Sequence, residues 1–290
     1  MRPGDVLFER FRISATLKTG GMARVWLAED LHTEETVAVK ELGRDYWSSP
    51  YDADERSVRS EAFMRFERER DLLDKFAGPG IPRLLDHGRF RGEPCLVMEF
   101  IPGKNLRDFL SQYRPPPIVA AAAVGVQILE ILDRIHQGGV VHRDLKPQNV
   151  VLASNGAVHI IDFGIALPTD PQATRYTCHG HTPGSTGYMA PEIIRGVKDP
   201  TVAADLYGFA CILYELITAK QVFCDLPDRS VEERHRSDPP PRLDPAQYPV
   251  GADLANLIQG MLQKEPAIRP SLADGLEVLR RYLPRFGNPA

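Results

Sequence analysis

The stretch VVHRDLKPQNVVL, residues 140–152, constrains this chain more than any other. It sets His142, Arg143, Asp144, Lys146 and Asn149 between two β-branched runs. Charged and amide groups flanked by apolar strands are costly to bury unless they face a cleft or one another. A fold that accepts this stretch must therefore give its polar turn somewhere useful to point. Eighteen residues after Asp144, the apolar run VHII ends at Asp162, followed by Phe163 and Gly164. The Asp162 carboxylate can project from that strand end toward the same place. The Asp162 segment alone reads as a strand-end turn; at this spacing from Asp144 the two read as one site.

The organisation around them is that of an α+β chain. RISATL, RVWLAED and TVAVKEL cluster or alternate β-branched residues, with turn signals at Gly20-Gly21 and around HTEET. Residues 52–77 switch to a helical pattern, CLVMEFI returns to a strand, and after Gly103 the chain turns mainly helical. Short β-like runs recur at GVVH, NVVLA and AVHIIDFG. These patterns predict a small β-rich lobe over about residues 10–100, a larger helical lobe over 104–283 and a tail or linker over 284–290. The polar, proline-rich segment 225–245 reads as a surface loop within the second lobe.

Composition excludes several function classes. A hydrophobic content of 43% and a charged content of 26% describe a soluble globular chain. The net charge of −4 leaves no basic footprint, so no nucleic-acid partner is expected. Cys95, Cys178, Cys211 and Cys224 lack C-x-x-C spacing, which suits a reducing compartment. The N-terminal MRPGDVLFERF holds no apolar signal core. The longest uncharged apolar stretch, residues 118–129, is shorter than the roughly 20 residues a membrane span takes. It reads as a buried helix, entered after Pro115-Pro116-Pro117 and stopped by Gly138-Gly139. No membrane segment is expected, and the chain reads as cytoplasmic or as the cytoplasmic part of a longer membrane protein.

Phosphoryl transfer gives the polar loop work to do. That reaction needs an acceptor for the incoming hydroxyl proton, a cation near the moving group and a ligand for a phosphate-bound metal. Asp144 can be the first, Lys146 the second and Asn149 the third. Asp162 adds a carboxylate to the Asn149 amide oxygen, and such hard ligands suit Mg²⁺. Upstream, the strand TVAVK ends at Lys40, which is either a solvated edge residue or a lysine with an acidic partner. The helical segment offers that partner: Ala62, Phe66, Leu73 and Phe76 form an apolar stripe, and Glu69 falls inside it. An acid within an apolar face needs a counter-charge, which selects Glu69 over Glu61 and Glu67.

The ordered set GGMARV, VAVK, Glu69, HRDLKPQN, DFG and APE resembles that of protein kinases, and the chain is similar to the eukaryotic-like serine/threonine kinases of bacteria from about residue 10 to about 283. The resemblance implies a two-lobed fold with ATP in the cleft between the lobes. Lys40 would pair with the α- and β-phosphates and be held by Glu69; Asp144 would orient and deprotonate the substrate hydroxyl, with Lys146 steadying the γ-phosphate. Asn149 and Asp162 would hold Mg²⁺, with Mn²⁺ as an alternative. Leu17, Gly20, Gly21, Val25 and Ala38 would line the nucleotide, Met98 would be the gatekeeper, and the backbone of Glu99 and Ile101 would bind adenine. The lysine two residues after Asp144 implies a protein substrate phosphorylated on serine or threonine.

The same resemblance assigns supporting roles. Glu192 would pair with Arg269, and Asp205 would brace the catalytic loop, although an Asp there could also cap its helix. His142 and Phe163 would stack in the core, and the Ser185 hydroxyl would bond the catalytic Asp and Lys. Arg143 before Asp144 implies control by phosphorylation, with Thr177 the first candidate, then Thr174 and Thr182. A homodimer could carry out that phosphorylation in trans.

Some features depart from the family pattern. Lys18 and Ala23 stand where a full glycine-rich loop has glycine. The segment between Lys40 and Glu69 is longer than usual by roughly ten residues, a solvated insertion or a docking surface. CHGH, residues 178–181, is too closely spaced for one tetrahedral metal and reads as a loop. The alternative function is a nucleotide-binding, pseudokinase-like signalling module. Such modules lack the equivalents of Lys40, Asp144 or Asp162, all present here, so an active enzyme is the expectation.

Overall fold

The computed structural model describes residues 1–19, 23–43, 53–113, 115–163, 167–168, 186–197, 199–224, 226–244 and 246–284. The chain divides into two units: Met1–Pro102 with Asp162–Gly164, and Gly103–Ile161 with Ile165–Ala290.

Unit 1 is built on one antiparallel sheet of six strands: β1 (Val6–Leu7), β2 (Phe11–Thr19), β3 (Ala23–Asp30), β4 (Thr36–Leu42), β5 (Leu84–Phe90) and β6 (Glu93–Glu99). Their order is β1-β2-β3-β4-β6-β5. Alternation along a strand sends successive side chains to opposite faces. Trp26, Ala28, Val37, Val39, Cys95 and Val97 accordingly close one face into a core with Leu7, Phe11 and Ile13. The other face carries Val25, Ala38, Lys40 and Met98, aligned by the cross-strand pairs Val25↔Lys40 and Ala38↔Met98. Helix α1 (Ala53–Lys75) lies between β4 and β5 in the chain. Its stripe is buried as the spacing predicts: Ala62, Phe66 and Leu73 are each under 5% exposed, and Glu69 among them is 3% exposed.

Unit 2 is mainly helical. It begins with β7 (Gly103–Asn105), α2 (Leu106–Gln112) and α3 (Ile118–Gln137). Asn105 caps α2 by accepting from the Asp108 N–H. Helix α3 ends at Gly138, and Gly139 takes the left-handed φ of +73° that turns the chain out of the helix. Next come β8 (Val140–Val141), β9 (Val150–Ala153), β10 (Val158–Ile160) and β11 (Leu167–Pro168). These strands form an antiparallel sheet of order β10-β9-β7 and a separate β11–β8 pair. Helices α4 (Pro191–Ile194), α5 (Ala203–Thr218), α6 (Val231–Ser237), α7 (Ala252–Met261) and α8 (Leu272–Arg280) follow. Every residue of α5 from Ala204 to Thr218 is buried, which makes it the axis of the unit. Among the described residues, no helix is long and apolar enough to cross a membrane.

The expected loop over 225–245 needs correction. It contains α6, started by a capping box in which the Ser230 side chain accepts from Glu233 N–H and the Glu233 carboxylate accepts from Ser230 N–H. His235 on this helix is fully buried. Polarity alone hid a helix whose seven residues are mostly charged.

Candidate active site

In unit 1, β4 delivers Lys40 and α1 delivers Glu69. The ammonium donates to both Glu69 oxygens, at 2.8 and 2.6 Å, and to Asp162 Oδ1 at 3.2 Å. Lys40 and Glu69 are nearly enclosed, whereas the Asp162 side chain is 45% exposed. Burial alone would depress the Lys40 pKa, but the Asp162 and Glu69 carboxylates outweigh it and hold the value above that of an ordinary lysine. Asp162 has a left-handed φ of +72°, a region Asp enters more readily than most residues.

The candidate nucleotide-lining residues sit on the same sheet face as Lys40. Ala38 is 7% exposed, and Val25 and Met98 are half-buried. Leu17, beside a bulge between Thr16 and Lys18, is 49% exposed. The Glu99 N–H donates to Arg83 O at 2.9 Å, and Ile101 is half-buried. Gly20 and Gly21 lie outside the described residues.

In unit 2, the polar stretch leaves β8, makes a short 3₁₀ turn over Pro147–Asn149 and enters β9. Asp144 is its focus. One carboxylate oxygen, Oδ2, accepts from Lys146 Nζ at 2.5 Å and from Asn149 Nδ2 at 3.1 Å. The Asn149 amide also donates to Asp144 O at 3.0 Å. Its nitrogen is thereby committed to Asp144, which leaves its oxygen as the atom that could serve as a hard ligand.

Asp205 of α5 supports this loop from below. Its two oxygens accept from His142 N and Arg143 N, each at 2.8 Å. Helix α5 starts without a side-chain cap, so Asp205 braces the loop instead of capping the helix. Arg143 has a left-handed φ of +68°, uncommon for a non-glycine residue, and these bonds hold the backbone that leads into it. Burial would raise the Asp205 pKa, but His136 and the loop amides keep it below the usual carboxylate range. Gly208, one turn later on α5, lets the loop approach: a Cβ there would lie 3.1 Å from Leu145 O.

The other supporting residues separate into placed and undescribed. Arg269 donates to both Glu192 oxygens at 2.7 Å, and its side chain is fully buried. His142 and Phe163 are buried at 0 and 1% exposure. Ser185, Thr174, Thr177 and Thr182 lie outside the described residues. Sequence reasoning missed His136, whose Nε2 stands 2.8 Å from Asp205 Oδ2. It also missed Arg107, Tyr188 and Glu215, which join in a second polar cluster. Glu215 was the available signal, a carboxylate inside the apolar run ACILYELI.

Comparison with known proteins identifies the family. The family described as "Protein kinase domain" matches residues 11–279. Serine/threonine-protein kinase pkn2 of Myxococcus xanthus is 33% identical over 98% of this chain and 35% of its own length. Serine/threonine-protein kinase PknD of Mycobacterium tuberculosis is 33% identical over 93% of this chain and 39% of its own. A probable serine/threonine-protein kinase PknB of Lactococcus lactis is 34% identical over 76% of this chain and 33% of its own. The chain thus spans about a third to two-fifths of the length of these curated relatives. With a family match covering nearly all of both units and relatives above 30% identity, this chain belongs to the protein kinase domain family.

Proposed function

We propose that this chain transfers the γ-phosphoryl group of ATP to serine or threonine hydroxyls of proteins, with residues 10–283 as the catalytic domain. The observation that carries the reading is the Asp144 carboxylate, held by Lys146 and Asn149 within one turn of a loop that Asp205 fixes. The names of the relatives, all serine/threonine-protein kinases, point the same way.

In this reading the acceptor hydroxyl gives its proton to Asp144 as its oxygen bonds the γ-phosphorus. The bond from that phosphorus to the β–γ bridging oxygen breaks, and ADP leaves with the electron pair. Lys146 offsets negative charge on the moving group. Lys40, kept protonated by Glu69 and Asp162, pairs with the α- and β-phosphates. Val25, Ala38 and Met98 present the apolar surface for adenine, with Leu17 at its edge, and Gly20 and Gly21 are the proposed phosphate-binding glycines. The Glu99 N–H is already bonded to Arg83, which leaves its carbonyl and the Ile101 backbone to read the base.

The donor chemistry suits a hard divalent ion: the Asp162 carboxylate and the Asn149 amide oxygen are the groups that would hold it. Held there, Mg²⁺ before Mn²⁺, it would supply positive charge against the phosphates. Thr177, then Thr174 and Thr182, are the proposed sites of autophosphorylation, in trans within a transient homodimer, and Arg143 is the proposed partner of the phosphate.

Incubation of the purified protein with γ-labelled Mg-ATP tests the reading, beside Asp144→Asn and Lys40→Met variants. Label on the wild type alone is expected. ATP binding without transfer to the protein or to casein would refute it and favour a nucleotide-binding switch.

A further inference from the structure

Lys18 stands where a full glycine-rich loop has glycine, and nothing in the site described above gives it work. The register of β2 says where it points. Two irregularities interrupt the pairing of β2 with β3, one between Ile13 and Ala15 and one between Thr16 and Lys18. Each slips the strand by one residue, which alone would turn the side chains that follow to the opposite face. The second undoes the first, and Lys18 comes to pair with Val25. Val25 pairs in turn with Lys40 of β4. Directly opposed residues share a face of the sheet, so Lys18, Val25 and Lys40 form one row within unit 1, on the face that carries Ala38 and Met98. Two strand spacings, about 10 Å, separate the backbones of the two lysines.

The charges along this row are unequal. Lys40 brings one ammonium and is paired with two carboxylates, Glu69 at 2.6 Å and Asp162 at 3.2 Å. That end of the row is net negative, a poor setting for an anion. Lys18 supplies the missing positive charge at the other end. It is exposed, and among the described residues no carboxylate pairs with it. Arg12, on the same strand and the same face, is by contrast paired across to Glu29 at 3.2 Å. A lysine on an open strand edge can also serve simply to block the addition of another strand, and β1 covers β2 only at Phe11 and Arg12. That role would place no demand on the face the side chain occupies.

We propose that Lys18 is a second phosphate-binding cation of the nucleotide site, its ammonium pairing with the triphosphate at the level of Lys40. A side-chain charge here takes the place of the close backbone approach that a glycine permits. The proposal rests on the kinase reading, which supplies the nucleotide, and adds to it a contact that serves binding rather than phosphoryl transfer.

Lys18→Met tests it by removing the charge and keeping a long, unbranched side chain at an exposed position. Calorimetric titration with ATP and with adenosine reads binding without turnover. The Kd for ATP should rise about fivefold, the upper end of what an exposed ion pair contributes, with that for adenosine within about twofold of wild type. Lys18→Arg should return the ATP value to within about twofold of wild type. The difference between wild type and Lys18→Met should shrink as ionic strength rises from about 0.1 to 1 M. In transfer to casein, the Mg-ATP KM of Lys18→Met should rise by the same factor, with kcat changed less than about twofold. Arg12→Met, which removes a cation already paired, should leave both Kd values at those of wild type. An ATP Kd unchanged in Lys18→Met, as a lysine that only guards the strand edge would give, overturns the proposal, and so do equal losses for ATP and adenosine. If the wild type binds ATP and transfers nothing, the kinase reading fails and the titrations still decide the role of Lys18; if it binds no ATP, both fail.

Discussion

Protonation of His235 offers a sharp test of how unit 2 is packed. The imidazole is fully buried, packs edge-on against Phe223 at 4.9 Å and sits 2.8 Å from the Tyr207 hydroxyl through Nδ1. Burial first, then the nearby Lys264 ammonium, pushes its pKa from 6.5 down to about 3, against a smaller opposite pull from the Gly187 carbonyl. The folded protein therefore holds the ring neutral, while the unfolded chain binds a proton below about pH 6.5. The stability this confers is present above pH 6.5 and is lost as pH falls, by about 1.4 kcal/mol per unit until pH 3. At pH 5 the loss is about 2 kcal/mol and at pH 7 about 0.2 kcal/mol. The pH 5 figure barely changes if the folded value is 4 instead of 3, because the unfolded chain sets it. The carboxylates depressed by partners, such as Asp205 and Asp238, add to the loss only nearer pH 4. Urea unfolding of wild type and His235→Asn at pH 7 and 5, followed by helical circular dichroism, reads the difference. Trp26 and Trp47 both precede residue 103, so tryptophan fluorescence reports unit 1 and serves as the internal control. The variant should lose about 2 kcal/mol less than wild type between the two pH values. Equal losses in the two proteins would refute the reasoning, whatever the absolute stability of the variant.

Other predictions concern the candidate site and its supports. Asp144→Asn should lower kcat by about 10²–10⁴-fold with the Mg-ATP KM little changed, measured by steady-state transfer to casein. Glu69→Gln removes one of two charges holding Lys40 and should raise the Mg-ATP KM while lowering kcat, whereas Glu67→Gln, at a half-exposed position, should change neither. Glu192→Ala leaves the fully buried Arg269 guanidinium without its counter-charge and should cost about 3–5 kcal/mol by urea unfolding. Gly208→Ala presses a methyl against Leu145 O at 3.1 Å and should cost about 1–3 kcal/mol, with a loss of transfer activity from the displaced loop.

Much of this protein is legible in its residues, and the limits have physical causes. The alternation in β3, β4 and β6 and the stripe of α1 carry their own periods, so those elements and the inward aim of Glu69 follow from sequence. Strand β5, LLDHGRF, has no such alternation and gains its place only by pairing with β6. Helix α6 escapes because its start is signalled by one capping box and its burial by one histidine. The loop of Asp144 is readable because its polar groups are contiguous. His136 and Arg107 are not, because each acts through a partner 69 or 108 residues away.

Those two distant partners lie on the same helix, and that coincidence says what α5 does. A helix buried over Ala204–Thr218 has no solvent to satisfy a carboxylate, yet it carries Asp205 and Glu215 ten residues apart. Asp205 accepts from the backbone of His142 and Arg143, just before Asp144; Glu215 accepts from Tyr188. Each acid spends its desolvation on a segment that has no regular secondary structure broad enough to hold itself. A 1.5 Å rise per residue puts the two acids about 15 Å apart on one rigid rod. Loop 142–149 and segment 186–190 are thus referenced to a single helix, and a shift of either must work against the whole apolar packing of unit 2. An apolar residue at either acidic position would pack well on α5 and leave the segment above it without a fixed place.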